Sequence, residues 1–267
     1  MNAESLPILF RSLELSAFAR ESESALARAE AENWGYRRLL QHLAEAEVQD
    51  RRARKIERLL KYSGLPATET FARFDEAKMP EKVRRMLPTL RSGDFVRRGD
   101  NLVAIGLPGR GKTGFCAALG RELLERHELK VLFVPAFKLA GRLLAAKRDL
   151  KLAPALAKLN RFDVIVVDEL GGYVDFSQGE VDVLFSFFGE RYEKQRSVFI
   201  TTNLAFSEWE KVFKNPMTAT AVVDRIVHRC VLLEFPGKKS IREEEARQRQ
   251  AAASSQTAGP LPTSGAA

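Results

Sequence analysis

A chain of 267 residues, 45% hydrophobic and 29% charged, has room for one full domain of about 200 residues and a smaller appendage. Its formal net charge of +8 points to a polyanionic partner, nucleic acid or an anionic membrane surface, and charge alone does not choose between them. Two cysteines and three histidines without ligand spacing argue against structural zinc, and no apolar run nears the roughly 18 residues of a membrane span.

The low cysteine count fits a reducing cytoplasm, and Leu6–Phe10 is too short and lacks the basic leader of a signal peptide. A soluble cytoplasmic protein without membrane contact is expected. Residues 1–64 read as a small all-α domain. Leu15–Ala31 is rich in good helix formers, and Gly35 is placed to break that helix. A second helix runs from Tyr36 to Gly64, with Tyr36, Leu39, Leu40, Leu43, Ile56, Leu59 and Leu60 at helical spacing. Its second half carries Arg51, Arg52, Arg54, Lys55, Arg58 and Lys61. That run is either a solvated face or a DNA-contacting one. Residues 65–99 read as a linker and covering segment with Phe71, Phe74 and Pro80.

From Asn101 short apolar runs alternate with amphipathic stretches. The runs are Leu102–Ile105, Val131–Val134, Val164–Val167, Val198–Ile200 and Val231–Phe235. Candidate helices lie near 113–127, 137–159, 178–194 and 218–229. This alternation predicts an α/β domain over 100–245, a parallel sheet covered by helices on both faces. The tail, 246–267, has the composition of a disordered segment.

The first apolar run ends in Gly106-Leu107-Pro108-Gly109-Arg110-Gly111-Lys112-Thr113-Gly114, a P-loop followed by a helix. Glycines let successive N–H groups face phosphates, and the helix adds its positive N-terminus. Lys112 supplies charge to the β and γ phosphates of ATP, and Thr113 a hydroxyl to Mg2+. Val164–Val167 ends in Asp168-Glu169, where Asp168 is expected to hold the metal and Glu169 to polarise the attacking water. Asp168-Glu169-Leu170-Gly171 also fits the DxxG of GTPases. The nearest approach to a guanine reader, Ala146-Lys147-Arg148-Asp149, lacks the Asn and lies upstream, so adenine is favoured. Val198–Ile200 leads to Asn203, which serves either as a γ-phosphate sensor or as a helix cap or Asx turn. Nothing provides the acceptor pocket and arginine-bearing lid of a small-molecule kinase.

With these residues in place the chain resembles the IstB family of insertion-sequence AAA+ ATPases, relatives of the DnaC helicase loaders. The likeness runs from Leu9 to Arg242. It includes Ala29-Glu30-Ala31-Glu32-Asn33-Trp34, Phe74-Asp75, the P-loop, Asp168-Glu169-Leu170-Gly171 and Arg191-Tyr192-Glu193. It continues through Thr202-Asn203-Leu204, Glu208-Trp209, Val212-Phe213, Val223-Asp224-Arg225-Ile226-Val227-His228-Arg229 and Gly237, Ser240 and Arg242. The resemblance implies a regulator of transposition that assembles on duplex DNA with ATP, remodels it and recruits a partner transposase (IstA-like). A helicase loader is the alternative. The resemblance also implies that Asn203 is the sensor and Arg225 an arginine finger acting in a neighbouring subunit. From the residues alone, Arg225 reads as a surface arginine paired with Asp224. Leu107, Arg110 and Cys116 depart from the family pattern. Residues 138–161 carry seven basic residues and one acidic, Asp149. Of the seven, Lys138, Arg142, Lys147, Arg148 and Lys151 are the candidate DNA contacts, suited to phosphates rather than base edges.

Overall fold

Strands that are apolar on both faces can be buried only if the sheet is covered on both sides. The computed structural model, which describes residues 6–74, 79–172 and 175–237, has that arrangement. β1 (Asn101–Gly106), β2 (Val131–Pro135), β3 (Val164–Asp168), β4 (Ser197–Thr202) and β5 (Cys230–Phe235) form a parallel sheet ordered β2-β3-β4-β1-β5. Register places Val103 beside Ile200 and Val167 beside Ile200 on the other flank of β4. These residues, with Ile165 and Val198, enter one core with buried side chains of α7 (Ala136–Arg148), α9 (Gln178–Glu193), α10 (Glu210–Phe213) and α11 (Pro216–Val227). Alternate residues turn to the other face. There α6 (Lys112–His127) packs along the sheet, and Phe95 of α5 (Asp94–Arg97) stacks on Phe199 at 5.6 Å. The sheet and its two-sided helical cover match the expected α/β class.

One expectation gains detail and one changes. In the covering segment of 65–99, α4 (Glu81–Arg91) buries Val83, Leu87 and Leu90 and packs on α6 and β5. Pro88 inside it masks the helical pattern in the sequence. The single helix expected over 137–159 is two, α7 and α8 (Leu152–Leu159), because Leu150 takes a left-handed backbone at φ 57°. Asp75 and the expected tail, with Ser240 and Arg242, lie outside the described residues.

The buried ends of β3 and β4 raise a hydrogen-bonding problem that Arg191 of α9 solves. Its guanidinium, 1% exposed, donates to the carbonyls of Leu159 (3.3 Å), Phe162 (2.8 Å), Asp163 (3.1 Å) and Ser197 (2.6 Å). Burial, reinforced by Arg196 and opposed by Asp163, pushes it down to about 9, so it stays protonated at neutral pH.

Residues 6–62 form a separate unit of α1 (Leu6–Ser12), α2 (Ser16–Ala31) and all but the last residue of α3 (Tyr36–Ser63). The break after α2 is made by Asn33 rather than Gly35. Asn33 has φ 51°, and the Trp34 N–H closes on the Ala29 carbonyl at 2.8 Å. Gly35 instead accepts from the first turn of α3. Leu15, the N-cap of α2, offers no side-chain acceptor. Glu47 of α3 takes that place: its carboxylate accepts the Ala17 N–H at 2.8 Å and the Arg51 Nε at 2.8 Å. Arg54 pairs with Asp50 at 2.8 Å, so Arg51 and Arg54 of the basic run are held by acids of their own helix.

Burial raises the Glu47 carboxyl, but Arg51 and the Ala17 N–H outweigh it and hold it below the ordinary carboxylate range. Its stabilisation is therefore present above the unfolded-state pKa and is lost as pH falls through the lowered folded value. Glu47→Ala should cost about 1–3 kcal/mol, because an N–H and a guanidinium lose their acceptor. Urea melts of the full chain, followed by a probe in residues 6–62 at neutral pH and pH 3, measure it. The gap between variant and parent should narrow in acid.

Candidate nucleotide-binding site

Because β4 lies between β1 and β3, the loops leaving the carboxyl ends of all three meet at one edge of the sheet. The β1 loop runs from Gly106 through the exposed Leu107 and Pro108 to α6. Gly109 and Gly111 have φ 75° and 81°, and Gly111 is the N-cap of α6 with no side chain to cap it. The first-turn N–H groups, Thr113 and Gly114 among them, have no carbonyl within the helix to meet, which suits an anion. The Lys112 ammonium is buried and donates to the Gly106 and Leu107 carbonyls at 2.6 and 2.9 Å, curling the loop over it. The Arg110 guanidinium reaches toward Gly237, beyond β5. The segment before β1 covers the loop helix: Glu69 and Phe74 lie against Gly114, and Phe71 meets Phe115 at 5.6 Å.

Asp168 ends β3, and Glu169 follows with φ 62°, a conformation that costs an L-residue energy. Thr201 of β4, 1% exposed, holds both. Its hydroxyl donates to Asp168 Oδ1 at 2.6 Å and accepts the Glu169 N–H at 2.8 Å. Its carbonyl accepts the Leu170 N–H at 2.9 Å. The Glu169 side chain folds over Gly172, where an added Cβ would stand 2.6 Å from its Cγ. Thr201 thus fixes the Asp168 carboxylate and the Glu169 main chain, a role that the sequence pattern does not announce. A threonine in a β-branched strand reads only as a strand former.

Asn203 sits just after β4, and its buried Oδ1 meets no hydrogen-bond donor among the described residues. The turn it was expected to make as an alternative is made by Thr202, whose hydroxyl accepts the Leu204 N–H at 3.1 Å. Arg225 of α11 does not pair with Asp224 among the described residues. Its guanidinium lies over the Phe185 ring of α9, 4.7 Å from the centroid. Lys138, Arg142, Lys147 and Arg148 lie on α7 and Lys151 just before α8, all exposed. Lys147 reaches Asp182 of α9 at 3.5 Å, whereas the other four make no ion pair among the described residues. The fully buried Cys116 thiol is pushed up by burial and by Asp168 and drawn down by Lys112.

Thr201→Val removes a donor from Asp168 and an acceptor from Glu169 at unchanged shape. It should lower stability by about 1–3 kcal/mol and slow ATP turnover, with Thr201→Ser recovering most of both. Gly172→Ala should displace the Glu169 side chain. Turnover should fall while ATP affinity, read by titration, stays near the parent value.

The family model of IstB-like ATP binding proteins matches residues 9–251. An insertion-sequence ATP-binding protein of Sinorhizobium fredii is 36% identical over 231 residues, covering 86% of this chain and 76% of the relative. The ATP-binding protein of insertion sequence IS21 from Pseudomonas aeruginosa is 32% identical over 243 residues, covering 91% and 90%. Among solved structures, the DnaC helicase loader superposes with a TM-score of 0.51 at 24% identity over 59% of this chain and 92% of that one. Domain III of the Thermotoga maritima replication initiation protein DnaA gives 0.53 at 17% identity over 74% and 78%. No helix among the described residues is long and apolar enough to cross a membrane. A P-loop and acidic strand end on this sheet, with relatives matching through both the helical leader and the nucleotide domain, place the chain in the IstB-like ATP binding family, as a P-loop ATPase of insertion-sequence type.

Proposed function

We propose that this ATPase binds duplex DNA, assembles on it with ATP and recruits or stimulates a partner transposase. The observation that carries the reading is the α7–α8 segment, whose cations stand exposed on an ATPase related to insertion-sequence proteins. Helicase loading is disfavoured because the insertion-sequence family match runs through residues 9–62 as well as the nucleotide domain.

In this reading the P-loop N–H groups and Lys112 bind the triphosphate, Lys112 exchanging its carbonyl partners for phosphate oxygens. The hard oxygens of Thr113 and Asp168 fit Mg2+, which needs few protein ligands beside phosphate. When bound, Mg2+ neutralises charge on the β and γ phosphates. Thr201 keeps one Asp168 oxygen oriented, and Glu169, held by its own N–H, takes the proton of the attacking water. Asn203 reads the γ-phosphate by donating from its side-chain Nδ2, while its buried Oδ1, which meets no donor among the described residues, can accept from the attacking water. Arg225 acts on the site of a neighbouring subunit, and a head-to-tail contact of that kind closes into a ring or continues as a filament.

Lys112→Ala should lose ATP binding, and Glu169→Gln should bind ATP but hydrolyse it poorly. Arg225→Ala should bind ATP yet lose DNA-stimulated turnover, by about 10³-fold if it matches other fingers. Mixing Lys112→Ala with Arg225→Ala should restore part of the turnover, and no recovery in proven mixed oligomers would count against the trans role. The DNA reading is tested by neutralising Arg142, Arg148 and Lys151. The slope of log affinity against log salt should become shallower by roughly 0.9 for each duplex phosphate that is no longer neutralised. An unchanged slope would return the segment to a solvated face.

A further inference from the structure

At the end of α7 the chain turns through a Schellman motif. The Lys151 N–H bonds the Ala146 carbonyl at 2.7 Å and the Leu150 N–H bonds the Lys147 carbonyl at 3.1 Å. The residue between them, Leu150, has φ 57°, where glycine or asparagine sits with least strain. Seven non-glycine residues take such a backbone among the described residues, and six of them (Glu14, Asn33, Glu128, Glu169, Gln195 and Lys214) are polar or charged. Leu150 is the apolar one. It is also 93% exposed, more than any other large hydrophobic side chain described. Packing does not account for a leucine here, and capping would be better served by another residue. A strained outlier of this kind is a reason to look for a use.

We infer that Leu150 is a wedge that enters a base step of duplex DNA while Arg142, Arg148 and Lys151 hold the flanking phosphates. Charge complementarity chooses the occupant: the segment's seven cations against one acid leave an apolar tip on a strongly positive ground. Apolar side chains between basic flanks unstack a step and bend the duplex where they insert. The tip is rigid, since both its bonds and the helices on either side fix it. Pyrimidine–purine steps, the easiest to open, would be favoured without any base-edge contact. The inference rests on the DNA reading above and adds that binding distorts the duplex at a definite residue.

The test uses the full chain with ATP and duplexes carrying 2-aminopurine at several pyrimidine–purine steps, with end labels for energy transfer. Leu150→Asn keeps the left-handed turn with a short polar side chain, and Leu150→Met keeps apolar bulk. Leu150→Met should melt at the parent temperature, because the side chain is almost fully exposed, and Leu150→Asn slightly above it, because asparagine relieves the left-handed backbone. The parent and Leu150→Met should raise the 2-aminopurine signal and bring the ends together. Leu150→Asn should lose both effects while keeping the parent's salt slope. Equal signals from Leu150→Asn and the parent, or none from a parent that binds, would overturn the wedge and leave the DNA reading standing. A parent that binds no duplex would overturn both.

Discussion

The active end of the sheet depends on one hydroxyl group. Main-chain pairing between β3 and β4 runs from Val164 beside Ser197 to Val167 beside Ile200 and stops there. Beyond that point the chain must leave the sheet and deliver two carboxylates to one place. Thr201 continues the ladder with its side chain, taking the Glu169 N–H that no strand partner meets and donating to Asp168. The strained backbone at Glu169 persists because its N–H and that of Leu170 are both satisfied by the same residue. An unpaired buried N–H would cost about as much as the strain itself, so the hydroxyl decides whether this turn is stable.

Arg191 does the corresponding work at the other end of the two strands. Its fork of five donors fits several carbonyls at once, which a lysine's point charge could not. Four carbonyls contributed by the α8 end, the β3 approach and β4 converge on it. A charge this buried is tolerable only because those dipoles surround it. β3 is consequently pinned at both ends, by a guanidinium behind and a hydroxyl in front.

Much of this was legible in the residue order. Five apolar runs became five strands, and the P-loop and Asp168-Glu169 fell at strand ends, because buried parallel strands and phosphate loops demand particular residue types. What stayed hidden was of a different kind. Thr201, Glu47 and Arg191 act through partners 30 or so positions away, and local pattern carries no trace of such pairings. Leu150 and Asn33 end helices by adopting backbone conformations that their side chains do not advertise, whereas Gly35 advertised a break it does not make. Asn203 is legible from its place after a buried strand as well as from the resemblance, whereas Arg225 rests on the resemblance alone. The structure adds an unsatisfied oxygen to the first and an aromatic support to the second.

The geometry also says how a signal at the basic segment would arrive at the carboxylates. From Leu150 the chain passes through α8, whose last carbonyl, that of Leu159, is bonded to Arg191 at 3.3 Å. Phe162 and Asp163 are bonded to the same guanidinium, and Val164 begins β3 directly after. β3 is 5 residues long and ends at Asp168, with Glu169 next. A packed interior transmits displacement rather than absorbing it, and a strand fixed by hydrogen bonds on both flanks is among its stiffest parts. If duplex DNA engages α7–α8 as proposed, this run of chain and hydrogen bonds is the route by which it would reach the Thr201–Asp168 bond. Such coupling needs a second stable arrangement for the DNA to select. In the proposed reading Lys112, now bonded to two carbonyls of its own loop, would exchange them for phosphate oxygens and so supply such a pair of arrangements.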